Sequence, residues 1–145
     1  MLNMNNWLHK VQYYETDQMQ IVHHSNYIRW FEEARTYLME QIDFGYDQME
    51  EQGIVVPVLA VQADYKSMSR FGETVEVRAH IKEFTGVKMI IAYEIVDKHT
   101  EEIRCTGETK HAFLDKETYR PLSLKRKHKN LFDLFNQLKD RKVEE

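Results

Sequence analysis

Residues 13–35 read YYETDQMQIVHHSNYIRWFEEAR, and we expect the rest of the chain to be arranged around this stretch. It begins with a β-like run, passes through a polar loop that holds a single acid, Asp17, and enters a helix through Ser25 and Asn26. Free backbone N–H groups and the positive end of the helix dipole lie at a helix N-terminus. A carboxylate near such a helix start suits chemistry in which a carbonyl oxygen becomes negative, and the two histidines between them add a candidate general acid.

A long amphipathic helix is predicted after the loop. Its apolar residues recur at helical spacing, with charged residues elsewhere around the helix. They are Tyr27, Trp30, Phe31, Ala34, Leu38 and Ile42. Because this apolar face is broad and aromatic, we expect a sheet to cover it.

Alternating and continuous apolar patterns predict five strands. They cover residues 7–15, 54–66, 75–82, 87–96 and 103–114. Short turns separate the last four, so we expect a continuous antiparallel meander, with the first half of residues 54–66 buried on both faces. Residues 43–52 are predicted to form a short helix or a loop, and residues from about 126 to 142 are predicted to form a C-terminal helix. The pattern indicates an α+β fold in which a roughly five-stranded antiparallel sheet wraps a long central helix.

The size and composition of the chain favour one domain, residues 1–145, in a reducing compartment. A single cysteine, Cys105, excludes an intrachain disulfide. The longest apolar run, residues 54–61, is interrupted by Pro57 and is too short to cross a bilayer. The net charge of -4 disfavours a general nucleic-acid binder. The basic run at residues 125–129 is either the solvated start of a helix or a segment that attracts a phosphorylated ligand. We therefore expect a soluble, cytoplasmic protein without a membrane span.

The stretch at residues 13–35 resembles the signature of the hotdog-fold acyl-CoA thioesterases of the 4-hydroxybenzoyl-CoA thioesterase and YbgC type. The matching positions are Tyr13, Thr16, Asp17, Val22, His24, Asn26, Tyr27, Phe31, Glu32 and Arg35. Residues 64–73 and 107–115 resemble later segments of the same family, so the resemblance covers most of the chain up to about Pro121. It implies a hotdog fold that hydrolyses an acyl-CoA thioester to a free carboxylic acid and coenzyme A, with no cofactor other than the coenzyme A of the substrate.

Three features depart from the family pattern. Gln20 stands in place of a glycine, His23 in place of a tyrosine, and Met68 and Ser69 in place of a Pro-Ala pair. Gln20 matters most, because its side chain would strain a loop that needs a positive φ there and would block a close approach of another backbone. The departure bears on the shape of the acyl pocket and on the rate more than on the fold.

The resemblance assigns the central chemical role to Asp17. This residue would act either as a general base on water or as a nucleophile that forms a mixed anhydride. The backbone amides of Ser25, Asn26 and Tyr27 would polarise the carbonyl oxygen as an oxyanion hole. Without the resemblance, Asp17 would be interpreted as a loop acid or a capping acid.

Four other side chains match family positions near the substrate. His24 and Tyr13 would orient the acid or the water, and the alternatives are a structural hydrogen-bonding role for His24 and a packing role for Tyr13. Lys66 and Arg70 would lie near the coenzyme A phosphates, because arginine holds phosphate bidentately and lysine holds it as a point charge. The alternative for both is plain surface charge.

No metal site is expected from the adjacent histidines and Glu32, because neighbouring side chains cannot readily point at one ion. Glu32 and Arg35 lie three residues apart on the predicted helix and are expected to form a local ion pair. Cys105 lies in a predicted strand and is interpreted as a small core residue.

Two other functions stay open. The chain could hydrolyse acyl groups on acyl carrier protein, with Lys66, Arg70 and residues 125–129 meeting an acidic carrier. It could also bind acyl-CoA without turnover, since Gln20 replaces the family glycine. A hotdog dehydratase is disfavoured because the sequence has no Asp-x-Asn-x-x-His pattern. By analogy with the family, we expect a homodimer or a homotetramer with the acyl site between subunits.

Overall fold

The structure, a computed structural model, describes residues 4–139. Its helices are α1 (Ser25–Gln41), α2 (Tyr46–Glu51), α3 (Leu124–Lys127) and α4 (Lys129–Leu138). Its strands are β1 (Trp7–Lys10), β2 (Ile54–Val55), β3 (Val58–Tyr65), β4 (Thr74–Phe84), β5 (Lys88–Asp97), β6 (Ile103–Ala112) and β7 (Leu114–Asp115). A 3₁₀ turn, Tyr13–Glu15, lies between β1 and α1. The predicted α+β fold, with a five-stranded antiparallel sheet and a long helix, is confirmed.

Helix α1 ends in a Schellman motif that reverses the chain. Asp43 takes a left-handed φ of 63° just past the last helical residue. Its N–H donates to the Glu40 carbonyl at 3.1 Å. The next N–H, that of Phe44, donates to the Met39 carbonyl at 3.0 Å, which completes the motif. The chain therefore turns sharply after α1 and leads into α2.

The large sheet has the strand order β1-β4-β5-β6-β3, with every neighbouring pair antiparallel, and packs against α1. The helix packs tightly against Gly107 in β6, where a Cβ atom would lie 2.6 Å from the Phe31 ring and closer still to the Gln62 carbonyl oxygen. Phe31 also stacks on Tyr93, with 4.4 Å between the ring centroids. Only glycine at position 107 allows the helix to approach the sheet this closely.

The order of the strands differs from the predicted meander. Strand β3 pairs with β6 at the edge of the sheet and is not a neighbour of β4. The reason is the connection at residues 66–73, which is tied to the loop before α1. The Val22 N–H donates to the Ser69 carbonyl at 2.9 Å, and Ile21 forms a bridge with Arg70. This connection carries the chain across to β4 instead of forming a hairpin with it.

Two of the predicted strands are shorter than expected. The first ends at Lys10. The second is divided at residues 56–57, because β2 pairs with β7 in a separate two-stranded sheet and Pro57 has no N–H to donate to a ladder. Val58 and Leu59, expected to be buried on both faces, are 49% and 50% exposed. They are exposed because, within residues 4–139, no strand pairs with the outer edge of β3.

The C-terminal helix also differs from its predicted span of about 126–142. It begins earlier, at Leu124, and is broken into α3 and α4 at His128, whose φ is -141°. The second piece ends at Leu138, and residues 140–142 lie outside the described residues.

Phe135 in α4 packs against Phe84, at the end of β4, and Phe113, between β6 and β7, with 5.3 and 5.9 Å between ring centroids. This contact attaches the C-terminal helix to the same core that holds α1. None of the helices in residues 4–139 is long and apolar enough to cross a membrane. The assignment of residues 1–145 to one domain stays a prediction.

We predict that Gly107→Ala lowers the free energy of unfolding by about 3 kcal/mol, because the Phe31 ring and the Gln62 backbone leave no room for a methyl group. Gly53→Ala is the matched control: its φ is 83°, but no atom lies within 4 Å of the added Cβ. This variant should lower the free energy of unfolding by only about 1 kcal/mol, because alanine is strained at a left-handed φ. Urea unfolding measures both variants, and equal midpoints would contradict the tight contact at Gly107.

Candidate functional site

Asp17 lies in a small closed loop before α1. A bridge between Thr16 and Val22 closes the loop, and the Asp17 N–H donates to the Ile21 carbonyl at 2.9 Å. The Asp17 carboxylate is partly exposed, and its Oδ1 accepts the Met19 N–H at 2.8 Å. Its Oδ2 has no hydrogen-bond partner among residues 4–139. One oxygen of this acid is therefore held by the loop and the other is open to a ligand.

Gln20 occupies a left-handed position in this loop. Its φ is 65°, and its N–H donates to the Asp17 carbonyl at 2.9 Å, which closes a turn over residues 17–20. The loop therefore does require a positive φ at the position where the family has glycine. The glutamine side chain is exposed, so the departure strains the backbone locally without changing the hydrogen bonds of the turn.

Glu15, two residues before Asp17, is a buried carboxylate with three donors. Oε1 accepts the Gln12 N–H at 2.8 Å and lies 2.7 Å from Nε2 of His9. Oε2 accepts the indole N–H of Trp30 at 2.8 Å. Burial pushes the pKa of Glu15 upward, but the hydrogen bonds from Gln12, His9 and Trp30 outweigh it and hold the pKa below its usual value. Glu15 is therefore an ionised structural anchor, which sequence reasoning missed.

The start of α1 is less open than predicted. The Asn26 N–H donates to the His23 carbonyl at 3.0 Å, and the Tyr27 N–H donates to the His24 carbonyl at 3.2 Å. The Ser25 N–H donates to Nδ1 of His23 at 3.2 Å. The three amides expected to face a substrate thus already have acceptors in the chain. In this segment of the described chain, the His24 N–H is the amide without a hydrogen-bond partner.

His24 lies at the surface between the helix start and the edge strand β3. Its ring stacks on His23 at 4.3 Å between centroids and meets Tyr65 of β3 edge-on at 6.0 Å. Tyr27 lies 5.6 Å from the same Tyr65 ring, and its hydroxyl accepts the Ser69 N–H at 3.1 Å. These contacts connect the helix start to the exposed edge of the sheet.

Tyr13 is not a core residue. It is 74% exposed, and its ring meets the exposed Phe71 edge-on at 5.7 Å. Its carbonyl accepts the hydroxyl of Thr16 at 2.7 Å and the Thr16 N–H at 3.0 Å. The side chain is therefore accessible to a ligand, although no hydrogen bond joins it to Asp17 within the described chain.

Lys66 and Arg70 lie on the connection that passes the Asp17 loop. Both side chains are exposed, and neither forms an ion pair among residues 4–139. Arg70 is held close to the loop by its backbone bridge to Ile21. Lys66 follows β3, and its N–H donates to the Arg104 carbonyl at 2.9 Å. Two exposed cations thus lie on the connection that passes the Asp17 loop.

The predicted ion pair between Glu32 and Arg35 forms, and Arg35 also makes buried hydrogen bonds that the sequence did not predict. Its guanidinium lies 3.8 Å from the exposed Glu32 carboxylate, but the side chain is buried. Nε donates to the Tyr46 hydroxyl at 2.8 Å, and Nη1 donates to the Tyr93 hydroxyl at 3.2 Å. Arg35 therefore joins α1 to α2 and β5 through buried hydrogen bonds.

The same buried network continues into β6. The hydroxyls of Tyr93 and Thr109 lie 2.7 Å apart, and Thr109 lies 2.7 Å from Nε2 of His111. Burial and the charge of Arg35 lower the pKa of His111 to about 4, so this histidine is neutral near pH 7. The alternation along β6, which puts Thr109 and His111 on one face, is the sequence signal that could have found this network.

The described residues offer neither a metal site nor a thiol nucleophile. No group of three or more His, Cys, Asp or Glu side chains within residues 4–139 could hold a metal ion. Cys105 is buried, as expected of a small core residue. Burial, with the charge of Asp64, raises the pKa of its thiol to about 12. Among the candidate groups, Asp17 keeps a carboxylate oxygen without a hydrogen-bond partner in the described residues.

The pattern of the Thioesterase-like superfamily matches residues 11–133. The putative acyl-CoA thioesterase YneP of Bacillus subtilis is 35% identical over 117 residues, which cover 81% of this chain and 84% of that protein. The acyl-CoA thioesterase YbgC of Helicobacter pylori is 26% identical over 135 residues, with 86% and 96% covered. The solved structure of a DHNA-CoA thioesterase from Staphylococcus aureus superposes with a TM-score of 0.85 at 28% identity, covering 92% of this chain and 89% of that one.

The left-handed φ of Gln20 predicts an order of stability among variants at this position. Gln20→Gly should raise the free energy of unfolding by about 1 kcal/mol, because glycine takes this conformation without strain. Gln20→Val should lower it by about 1 to 2 kcal/mol, because a β-branched residue fits the left-handed region worst. Thermal and urea unfolding give the order, and a glycine variant less stable than the parent would contradict it.

Proposed function

This chain belongs to the thioesterase-like superfamily and is a thioester hydrolase with a hotdog fold, and from this premise we propose that Asp17 cleaves acyl-CoA thioesters to a free carboxylic acid and coenzyme A. The observation that carries the proposal is the hydrogen bonding of the Asp17 carboxylate. One oxygen is fixed by the Met19 amide, and the other has no partner among residues 4–139. A carboxylate oriented in this way is ready to act on a bound carbonyl group.

Asp17 would act in one of two ways. As a general base, its free oxygen takes a proton from water, whose oxygen then attacks the thioester carbonyl carbon. As a nucleophile, the same oxygen attacks that carbon and forms a mixed anhydride, which water then hydrolyses. In both routes the C–S bond breaks, the thiolate of coenzyme A leaves and takes up a proton, and the acyl group leaves as a carboxylic acid.

The start of α1 would stabilise the negative carbonyl oxygen. The unpartnered His24 N–H and the positive end of the helix dipole support this role. The amides of Ser25, Asn26 and Tyr27 contribute through the dipole, since their hydrogen atoms already have acceptors in the chain.

Two side chains would orient the reacting groups. The exposed ring of His24 would hold the water or the acid, and its stacking on His23 supports a fixed position. The exposed side chain of Tyr13, which precedes the Asp17 loop, would supply a second hydroxyl contact to the water or the acid.

Lys66 and Arg70 would hold the phosphates of coenzyme A. Their exposure, the absence of ion pairs to them within the described chain, and the bridge between Arg70 and Ile21 support this assignment. The exposed basic residues of α3, Lys125–Lys127, favour a second candidate substrate, an acyl group on an acidic carrier protein.

A homodimer joined along β3 would complete the site. Val58, Leu59 and Val61 on this edge strand are 45% to 50% exposed, and unpaired apolar edges are rare in proteins that stay monomeric. Antiparallel pairing of β3 with its copy would cover them and extend the sheet across both subunits. The contact between Tyr65 and His24 would bring this interface to the helix start. A homotetramer stays a further proposal.

A cytoplasmic location is also part of the proposal. The chain has one cysteine, Cys105, and it is a buried free thiol. A fold that uses no disulfide suits a reducing compartment.

We predict that Asp17→Asn lowers kcat for acyl-CoA hydrolysis by about 10² to 10⁴-fold, because asparagine still accepts the Met19 N–H but has no base or nucleophile. Asp47→Asn, an exposed acid in the first turn of α2, is the matched control and should keep the parent rate. Release of free thiol is followed across short, long and aromatic acyl-CoAs and across matched carrier-protein thioesters.

Two results would contradict the proposal. An Asp17→Asn protein as fast as the parent on every thioester would remove Asp17 from the chemistry. Tight binding of acyl-CoA by the parent without thiol release, unchanged by Gln20→Gly, would identify a binding protein instead of an enzyme.

The proposed interface predicts that Val61→Lys converts the homodimer to a monomer. Dimerisation along β3 would bury the charge of this lysine in the interface, which opposes strand pairing. Leu8→Lys is the matched control, since Leu8 is 51% exposed on β1, the opposite edge of the sheet. Light scattering after size-exclusion chromatography gives the mass of each variant. A monomeric parent, or a Val61→Lys protein with the parent mass, would exclude pairing along β3.

A further inference from the structure

Glu15 is attached both to the Asp17 loop and to helix α1. Its carbonyl oxygen accepts the His23 N–H at 2.9 Å and the side-chain amide of Asn26 at 3.0 Å. Its carboxylate accepts the indole N–H of Trp30, one turn further along α1. The same residue therefore binds the helix through its backbone and through its side chain.

We infer that Glu15 is a positioning residue for the proposed thioester hydrolysis, holding the Asp17 loop at a fixed place relative to the start of α1. The inference rests on the proposed function of Asp17. It does not make Glu15 a catalytic residue, because the carboxylate is buried and both of its oxygens are already hydrogen-bonded.

The geometry of the loop supports this role. The two ends of the loop leave from Glu15 and His23, and the hydrogen bond between them closes the loop one step outside the Thr16–Val22 bridge. Asp17 is the second residue after Glu15, so a shift of the anchor is transmitted to it through a single residue. A displacement of about 1 Å at a reacting group can cost about 10²-fold in rate.

The network also explains why a carboxylate is needed. Three donors, from Gln12, His9 and Trp30, converge on two oxygens. A glutamine has one acceptor oxygen, so its NH₂ group would face at least one of these donors. Glu15→Gln therefore keeps the size of the side chain and breaks the anchor.

The direct test is amide hydrogen exchange of the full chain. In Glu15→Gln, the amides of Asp17 and Met19, both hydrogen-bonded inside the loop, should exchange about 10-fold faster or more, while those of β4 and β5 keep the parent rate. Glu33→Gln is the matched control, an exposed acid of α1 without a hydrogen bond among the described residues, and it should leave the loop unchanged.

The kinetic test separates positioning from binding. In Glu15→Gln, kcat for acyl-CoA hydrolysis should fall about 10 to 100-fold, with KM changed by less than about 3-fold, since the anchor does not touch the substrate. His9→Phe is a milder second variant: it keeps a ring beside Trp7 and Trp30 and removes one of the three donors. It should fold if Glu15→Gln does not, and should give a smaller loss of kcat and a smaller rise in exchange.

The outcomes distinguish this inference from the proposed function. The inference is overturned if the amides of the loop exchange at the parent rate in both Glu15→Gln and His9→Phe. It is also overturned if kcat/KM falls only because KM rises. Faster exchange confined to the loop, together with a loss of kcat at nearly constant KM, supports the inference. A parent that releases no thiol overturns the proposed activity, and faster loop exchange in that case shows only that Glu15 anchors the loop.

Discussion

The close packing of α1 on the large sheet is the constraint on which the rest of the structure depends. Gly107 lets Phe31 reach the sheet backbone, and this contact fixes the height of the helix above the strands. At the start of the helix, the Tyr27 hydroxyl holds the Ser69 N–H, and the Ser69 carbonyl in turn holds the Val22 N–H. The loop that carries Asp17 is therefore attached to the same frame as the core, although much of the loop is exposed.

Two carboxylates only two residues apart are given different tasks by their surroundings. Glu15 is buried, has three donors on its two oxygens, and stays ionised because those hydrogen bonds outweigh the cost of burial. Asp17 is partly exposed and has one donor on one oxygen. The first has no capacity left for a ligand, whereas the second keeps a free oxygen. The surroundings of each carboxylate therefore separate a structural acid, Glu15, from Asp17, the acid proposed to act on the thioester.

Local patterns in the sequence predict what depends on local physics. The period of the apolar residues gives α1, and the family signature gives the loop with Asp17. The order of the strands is not local: β3 pairs with β6 because its connection is tied to Ser69 and Arg70. Gln12 donates to Glu15 at a local capping spacing of three residues, but the donors His9 and Trp30 come from β1 and α1, and no local spacing reveals them. The residue pattern of an apolar strand such as β3 does not depend on whether the same chain or a second copy covers it. The sequence therefore does not predict that β3 is exposed within this chain.

The most direct test of the account is the structure of the protein with a non-hydrolysable acyl-CoA analogue, in which a methylene group replaces the thioester sulfur. The measured quantity is the distance from Oδ2 of Asp17 to the carbonyl carbon of the analogue. We expect a distance of about 3 to 3.5 Å, or one bridging water, with the carbonyl oxygen directed at the His24 N–H. An analogue whose carbonyl group lies away from the Asp17 loop, on any other face of the molecule, would contradict it.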